Sequence, residues 1–238
     1  MRLRQVALVA AQLDPAIKAL STELGAEVCF IDPGVGEYGL HNGLLALGDT
    51  FLEVVAPTEE GTAAGRYLDR RHGDGGYMIL LQLDQEERAT CRALARDQGI
   101  REVSQPEGVH GDVQIVGTHF HPGDTGGAIL SVDTATPAES WGWAGDAWQD
   151  HVRHERAGAI LSADIQSSDP SALAARWGSL LGLAPVADAL EMDGGQLRFV
   201  ESGDDRGEGI TAISVAALDP DLAGRSVDIA GIRIDWVG

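Results

Sequence analysis

The chain has 238 residues, a net charge of −20, and 44% apolar against 23% charged residues. That length holds one large or two smaller domains with real cores. The acidic balance excludes nucleic acid and anionic membrane surfaces as partners, because phosphate rewards Lys and Arg. No apolar run approaches ~18 residues, so no membrane span is expected. The first run is broken by Gln12 and Asp14 too early for a signal peptide, which makes a cytoplasmic protein the expectation. Lys18, the only lysine, falls inside a predicted helix, which excludes Schiff-base, pyridoxal phosphate and P-loop chemistry. Cys29 and Cys91 stand in apolar contexts and read as reduced core thiols.

The first strand is predicted over 4–11. Asp14 then reads as a helix N-cap with Pro15 at the first helical position, and Gly25 ends the helix after an Ile17, Leu20, Leu24 stripe. A second strand, 26–31, leads through a turn-rich loop into the hairpin HNGLLALGDTFLEVV, residues 41–55. Its two apolar runs flank Gly48-Asp49, a two-residue link that fits a tight β-turn. Near-continuous apolarity implies cover on both faces. Glu53 nevertheless sits mid-strand, where an unpaired carboxylate costs several kcal/mol; it needs a partner, a proton or a metal, unless it reaches water at a sheet edge. If Gly48-Asp49 is the turn, Leu44 pairs with Glu53, Asn42 shares its face and His41 takes the other. A bulge would exchange Asn42 and His41, so both are candidate pocket residues.

The same order recurs. Strand 77–83, helix 85–96, a short strand 101–104 and a second hairpin from 113–120 and 128–132 make copy two. Copy three starts at 159–165, with Asp169-Pro170 opening a helix striped by Leu173, Trp177 and Leu180, then strands 189–192 and 196–201. A trimmed copy four runs through strand 210–217, Asp219-Pro220, and strands 226–229 and 232–237. Asp-Pro follows a strand in copies one, three and four, nine residues after Gln5, Ile160 and Ile210. Repeats of this period imply stacked supersecondary units sharing a core, an α+β fold of curved mixed sheets with helices outside. Three blocks follow: 1–133 with two modules, a Trp-rich linker or lid at 134–156, and a second half at 157–238.

A strand, an Asp-led helix ending in Leu24-Gly25, and strands closing on Phe51-Leu52-Glu53 resemble the vicinal oxygen chelate superfamily, closest to its glyoxalase-like members. The resemblance implies βαβββ modules paired into a cup that holds a divalent metal. Its ligands come from the first and last strands of each module, here Gln5 and Glu53 in copy one. It places the copy-two positions on Met78 and Leu130, or on Ser131 with a one-residue slip. In copies three and four it points to Ile160 with Phe199 and to Ile210 with Asp235. Alkyl and thioether groups do not hold hard or borderline cations.

His119 and His121 are the residues that could complete a site with Glu53. At i and i+2 on one strand they share a face, and two histidines with a carboxylate suit Fe or Zn. The alternative is that His121-Pro122 only begins a turn. His151, His154 and Glu155 read as a solvated helix end, and Asp124, Arg66, Arg70 and Arg71 as turn or helix surface. Two functions stay open. One is a lyase, isomerase or dioxygenase on a small oxygenated molecule, with Glu53 as base or as ligand to Zn, Fe, Mn or Ni. The other is a metal-free binding protein of the antibiotic-sequestering type, with Trp141 and Trp143 stacking on a planar ligand. Either is compatible with a monomer or a homodimer.

Overall fold

The computed structural model describes all 238 residues. The first module is β1 (Arg2–Val9), α1 (Leu13–Leu24), β2 (Val28–Phe30), β3 (Leu40–Leu47) and β4 (Thr50–Pro57). A helix, α2 (Ala63–Arg71), leads to β5 (Gly75–Gln82) and α3 (Gln85–Asp97). Four short strands follow: β6 (Glu102–Ser104), β7 (Glu107–His110), β8 (Val113–Val116) and β9 (His119–Phe120). A single-turn α4 (Pro122–Thr125) and β10 (Ile129–Thr136) complete the second module. Residues 137–156 hold only short 3-10 turns. The remainder is β11 (Ala157–Ser167), α5 (Pro170–Leu181), β12 (Ala189–Met192), β13 (Gly195–Glu201), β14 (Gly209–Ala217), β15 (Ser226–Ile229) and β16 (Ile232–Val237). No helix is long and apolar enough to cross a membrane.

The strands form two mixed sheets. The first runs β2-β3-β4-β1-β5-β10-β8-β7, with β9 also on β10 and β6 on β9; the second runs β12-β13-β11-β14-β16-β15. In each, two first strands lie antiparallel at the centre, and each carries the last strand of its own module in parallel. Alternation sends Val6, Leu8, Leu52, Val54, Ile79 and Leu81 to one face of the first sheet. These join Leu20, Trp177, Ile165, Phe199 and Ile234 in a single core of 41 residues shared by both sheets and helices α1, α3 and α5. The opposite face of each sheet is concave and polar at selected positions.

One helix entry differs from expectation and one matches it. The first helix begins at Leu13, with Gln12 as an N-cap that makes no side-chain bond, so Asp14 and Pro15 lie inside the first turn. In α5 the expected geometry holds: Asp169 caps and Pro170 is first. The Asp-Pro alignment is thus two residues out of phase between copies one and three. The second hairpin also differs. Its outer strand breaks at Gly117–Thr118 into β8 and β9, which pair with separate parts of β10.

The true phase is set by β-bulges. In the central pair of the first sheet, Arg4 and Tyr77 are extra residues; in the second, Leu161 and Thr211 are. A bulge re-aims the side chains that follow it, so it is a reliable landmark for equivalent positions. One residue past it stand Gln5, Met78, Ser162 and Ala212. Three residues past it stand Ala7, Leu80, Asp164 and Ser214, whose parallel partners are Glu53, Ser131, Arg198 and Asp235. The copy-two position is therefore Ser131, with Leu130 in the core. In copies three and four, Ile160, Phe199 and Ile210 are likewise core residues. Their places on the concave face belong to Ser162, Arg198 and Ala212, while Asp235 stands where it was expected.

Candidate active site in the first cup

Glu53 lies on the concave face of the first sheet and is 8% exposed. The hairpin register is as its turn predicts, with Leu47 opposite Thr50 and Leu44 opposite Glu53. Gln5 Nε2 donates to Glu53 Oε2 at 2.8 Å, and Asn42 Nδ2 donates to Oε1 at 2.6 Å. Both carboxamides are oriented from outside. Trp141 Nε1 donates to Gln5 Oε1 at 2.7 Å, and the Asp32 amide donates to Asn42 Oδ1 at 2.9 Å. An indole and a backbone N–H can only donate, so each amide oxygen faces them and each NH2 must face Glu53. Burial raises the Glu53 carboxyl from 4.5 to about 7, against the lowering effect of the Asn42 and Gln5 N–H groups; nearby Asp32 adds to the rise.

The Trp-rich segment closes one end of this cup. Trp141, fully buried, stacks on Phe51 with ring planes 10° apart, and Trp148 meets Phe51 edge-on. The Arg4 guanidinium lies 5.4 to 5.7 Å from the centroids of Phe51, Trp141 and Trp148. Burial brings Arg4 down to about 10, with the Arg2 charge second and the Asp49 carboxylate opposing. At the other end α2 covers the cup with Tyr67, whose hydroxyl donates to the Gly76 carbonyl at 2.6 Å. Among concave-face residues Met78, Ile129 and His119 keep partial exposure, while Phe51, Leu44 and Leu80 do not.

The facing module supplies a second buried carboxyl. Asp133 on β10 is fully buried, accepts from Ser131 Oγ, and accepts from Trp143 Nε1 at 2.7 Å. Burial raises it to about 6 despite those bonds. Sequence reading missed it, although LSVDT has the same signature as FLEVV, a carboxylate midway along an apolar strand. The predicted strand stopped at Val132, one residue short.

Other predicted site residues fall apart. His41 is exposed and on the face away from Glu53, as a turn without a bulge requires. His119 lies opposite Ser131 on the concave face, and burial lowers its imidazole to about 4, leaving it neutral. His121 does not share its strand: β9 ends at Phe120, and His121 Nδ1 accepts from the Gly123 amide at 3.0 Å as the cap of α4. No three His, Cys, Asp or Glu side chains converge as a metal cluster would. Trp141 and Trp143 use their indole N–H groups within the cup wall.

The donor set does not fit the divalent metal that the resemblance implies. Both Glu53 oxygens and the Gln5 oxygen already face N–H donors. Across the pseudo-two-fold their counterparts are Ser131 and the thioether of Met78. A soft sulfur and a hydroxyl do not complete a site for Mg, Mn, Zn or Fe(II).

Paired βαβββ-type modules closing a cup around Gln5 and Glu53 define a vicinal oxygen chelate fold. The match of residues 6–181 to the glyoxalase-like domain model goes further, and the chain belongs to that family. A hypothetical protein from Staphylococcus aureus shares the fold along 99% of both chains, at 13% identity and a TM-score of 0.69. A methylmalonyl-CoA epimerase from Mycobacterium tuberculosis is 26% identical, with 56% of this chain and 86% of that one covered and a TM-score of 0.47. A Streptomyces coelicolor epimerase variant, solved with 2-nitronate-propionyl-CoA, is 24% identical over 59% and 99% of the two chains, with a TM-score of 0.49. No curated protein matches the chain.

Proposed function

We propose that the first cup binds a small oxygenated molecule and that Glu53 transfers a proton on it, an isomerase- or lyase-type reaction. The observation that carries this is the Glu53 carboxyl itself, poised near neutrality by burial and held on both oxygens by oriented carboxamides. A base with that pKa is close to equally ready to take and to return a proton at pH 7. Acidity at carbon is greatest beside a carbonyl, which is why an oxygenated substrate suits it. Gln5 and Asn42 fix the carboxylate so that little reorganisation accompanies transfer. Neutral His119, partly exposed on the concave face, is the group available to donate to an oxygen on the substrate. No step is assigned to a metal, because the residues present do not form its site.

A second reading is binding without turnover. Half-buried Trp143 favours it, because an aromatic face holds a planar ligand without any need for a base. The two part on one experiment. Purified protein is screened against small 2-oxo and 2-hydroxy carbonyl compounds in D2O, with deuterium incorporation followed by NMR. Exchange at carbon that Glu53→Gln abolishes supports proton transfer. Ligands that bind equally well to Glu53→Gln and show no exchange overturn it in favour of sequestration. A stoichiometric metal, lost on Glu53→Ala, would contradict the metal-free chemistry proposed here.

A further inference from the structure

The second sheet has a concave face of its own, built on the same bulged strands, and its chemistry is inverted. Where the first cup places Glu53, the second places Arg198; where the first has Ser131, the second has Asp235. Arg198 Nε donates to Asp164 Oδ1 at 2.6 Å, and its Nη2 reaches Ser214 Oγ at 3.3 Å. Arg233 Nε sits between both Asp235 oxygens at 2.9 and 3.0 Å, and its Nη2 is 4.0 Å from Asp164 Oδ2. Asp235 also accepts from Ser226 Oγ at 2.6 Å. Each aspartate thus engages the Nε edge of a guanidinium, Nη2 of each arginine leans on Ser214 or Asp164, and Nη1 of both is left for a ligand.

The geometry points to a second ligand site here, one that takes a small carboxylate between the terminal N–H groups of Arg198 and Arg233. Three observations support it. The arginine heads stay open to solvent, with side chains 36% and 51% exposed, while Asp164 beneath them is 8% exposed. A carboxylate at the base of two arginines orients their forks for bidentate contact. Ser162, the counterpart of Gln5, shares this face and is 2% exposed, yet its Oγ has no hydrogen-bond partner. A buried hydroxyl without a partner costs stability unless something meets it. Charge then selects the ligand class. Asp228, opposite Arg233 on β15, joins Asp164 and Asp235 against the two arginines, so a monoanion is penalised less than a dianion, the more so in a chain of net charge −20. The Trp-rich segment closes the first cup and leaves this one uncovered.

The test is an NMR titration of the full chain with acetate, and in parallel with phosphate and methylammonium, observing the arginine Nε–H signals. Acetate should bind saturably and move the Arg198 and Arg233 signals. Arg233→Met should weaken it by about tenfold or more, in line with the loss of a charge-assisted hydrogen bond. Ser162→Ala should weaken it as well. Arg198→Lys keeps the charge and loses the fork, and should bind acetate more weakly. If Arg198 variants fail to fold, Arg233→Met decides, since that side chain is half exposed. Absence of saturable acetate binding, equal affinity in wild type and Arg233→Met, or tighter binding of phosphate or methylammonium would each overturn the assignment.

Discussion

Replacing Glu53 by Gln should remove one pH-dependent contribution to stability. The carboxyl is raised from 4.5 to about 7 in the folded chain, mainly by burial. Between those values the folded state holds a proton that the unfolded state has lost. Stability therefore falls as pH rises through this window, by about 1.4 kcal/mol per unit and ~3 kcal/mol in all. The contribution is fully present below pH 4.5 and gone above 7. Two other buried groups act in neighbouring windows. Asp133, raised to about 6, gives the same sign between 3.8 and 6; His119, lowered to about 4, gives the opposite sign between 4 and 6.5. Their effects cancel in the difference between wild type and Glu53→Gln. Denaturant unfolding followed by tryptophan fluorescence from pH 4.5 to 8.5 measures that difference. The variant should gain on wild type by ~3 kcal/mol across the range, from whatever offset its amide contacts impose at low pH. Parallel curves would mean that Glu53 titrates at its ordinary value, and the argument from burial would fail with them.

Trp141→Phe keeps the stack on Phe51 but removes the donor that orients Gln5. The freed amide no longer holds its NH2 on Glu53, so the carboxyl should titrate higher than in wild type, with a stability loss of about 1 kcal/mol; carboxyl 13C shifts report the first and unfolding the second. Asp133 should quench or shift Trp143 emission with a midpoint near 6, and Asp133→Asn should abolish that step, leaving the Glu53 titration in place. Arg71, 2% exposed, donates to the carbonyls of Arg206, Gly207 and Glu208 at 2.6 to 2.8 Å. Arg71→Met should destabilise by several kcal/mol by stranding those carbonyls, without moving the Glu53 titration midpoint.

The sequence made the module order legible because each module opens with an apolar strand and a helix bounded by Gly25, Gly182 or an Asp-led turn. The hairpin register was legible too: Gly48-Asp49 fixes Leu44 opposite Glu53, and Asn42 follows. Equivalent positions in copies two to four were not, because they depend on bulges at Arg4, Tyr77, Leu161 and Thr211. No residue preference marks these bulges, which are four unlike side chains. The Asp-Pro motif offered itself as the landmark instead and was two residues out in copy one. The distance from Trp141 to Gln5, 136 positions along the chain, is likewise a product of tertiary folding alone. His121 failed as a partner for His119 for a local reason, since Pro122 opens a turn one residue after it.

The repeated bulge makes the four concave-face positions interchangeable sockets. The backbone that presents Glu53 also presents Arg198, with the same bulge upstream and the same parallel neighbour. The first cup has two uncharged sockets, Met78 and Ser131, beside a filled pair, while the second holds Arg198 and Asp235 on opposite sides of its axis. A change of chemistry therefore requires side-chain replacement only, with strands, register and core untouched. Writing Gln and Glu into positions 162 and 198 would place the Gln5–Glu53 pair in the second cup, though without the Asn42 and Trp141 contacts that hold it in the first. The chain carries, in effect, two readouts of one frame, and selection can revise either without refolding the other.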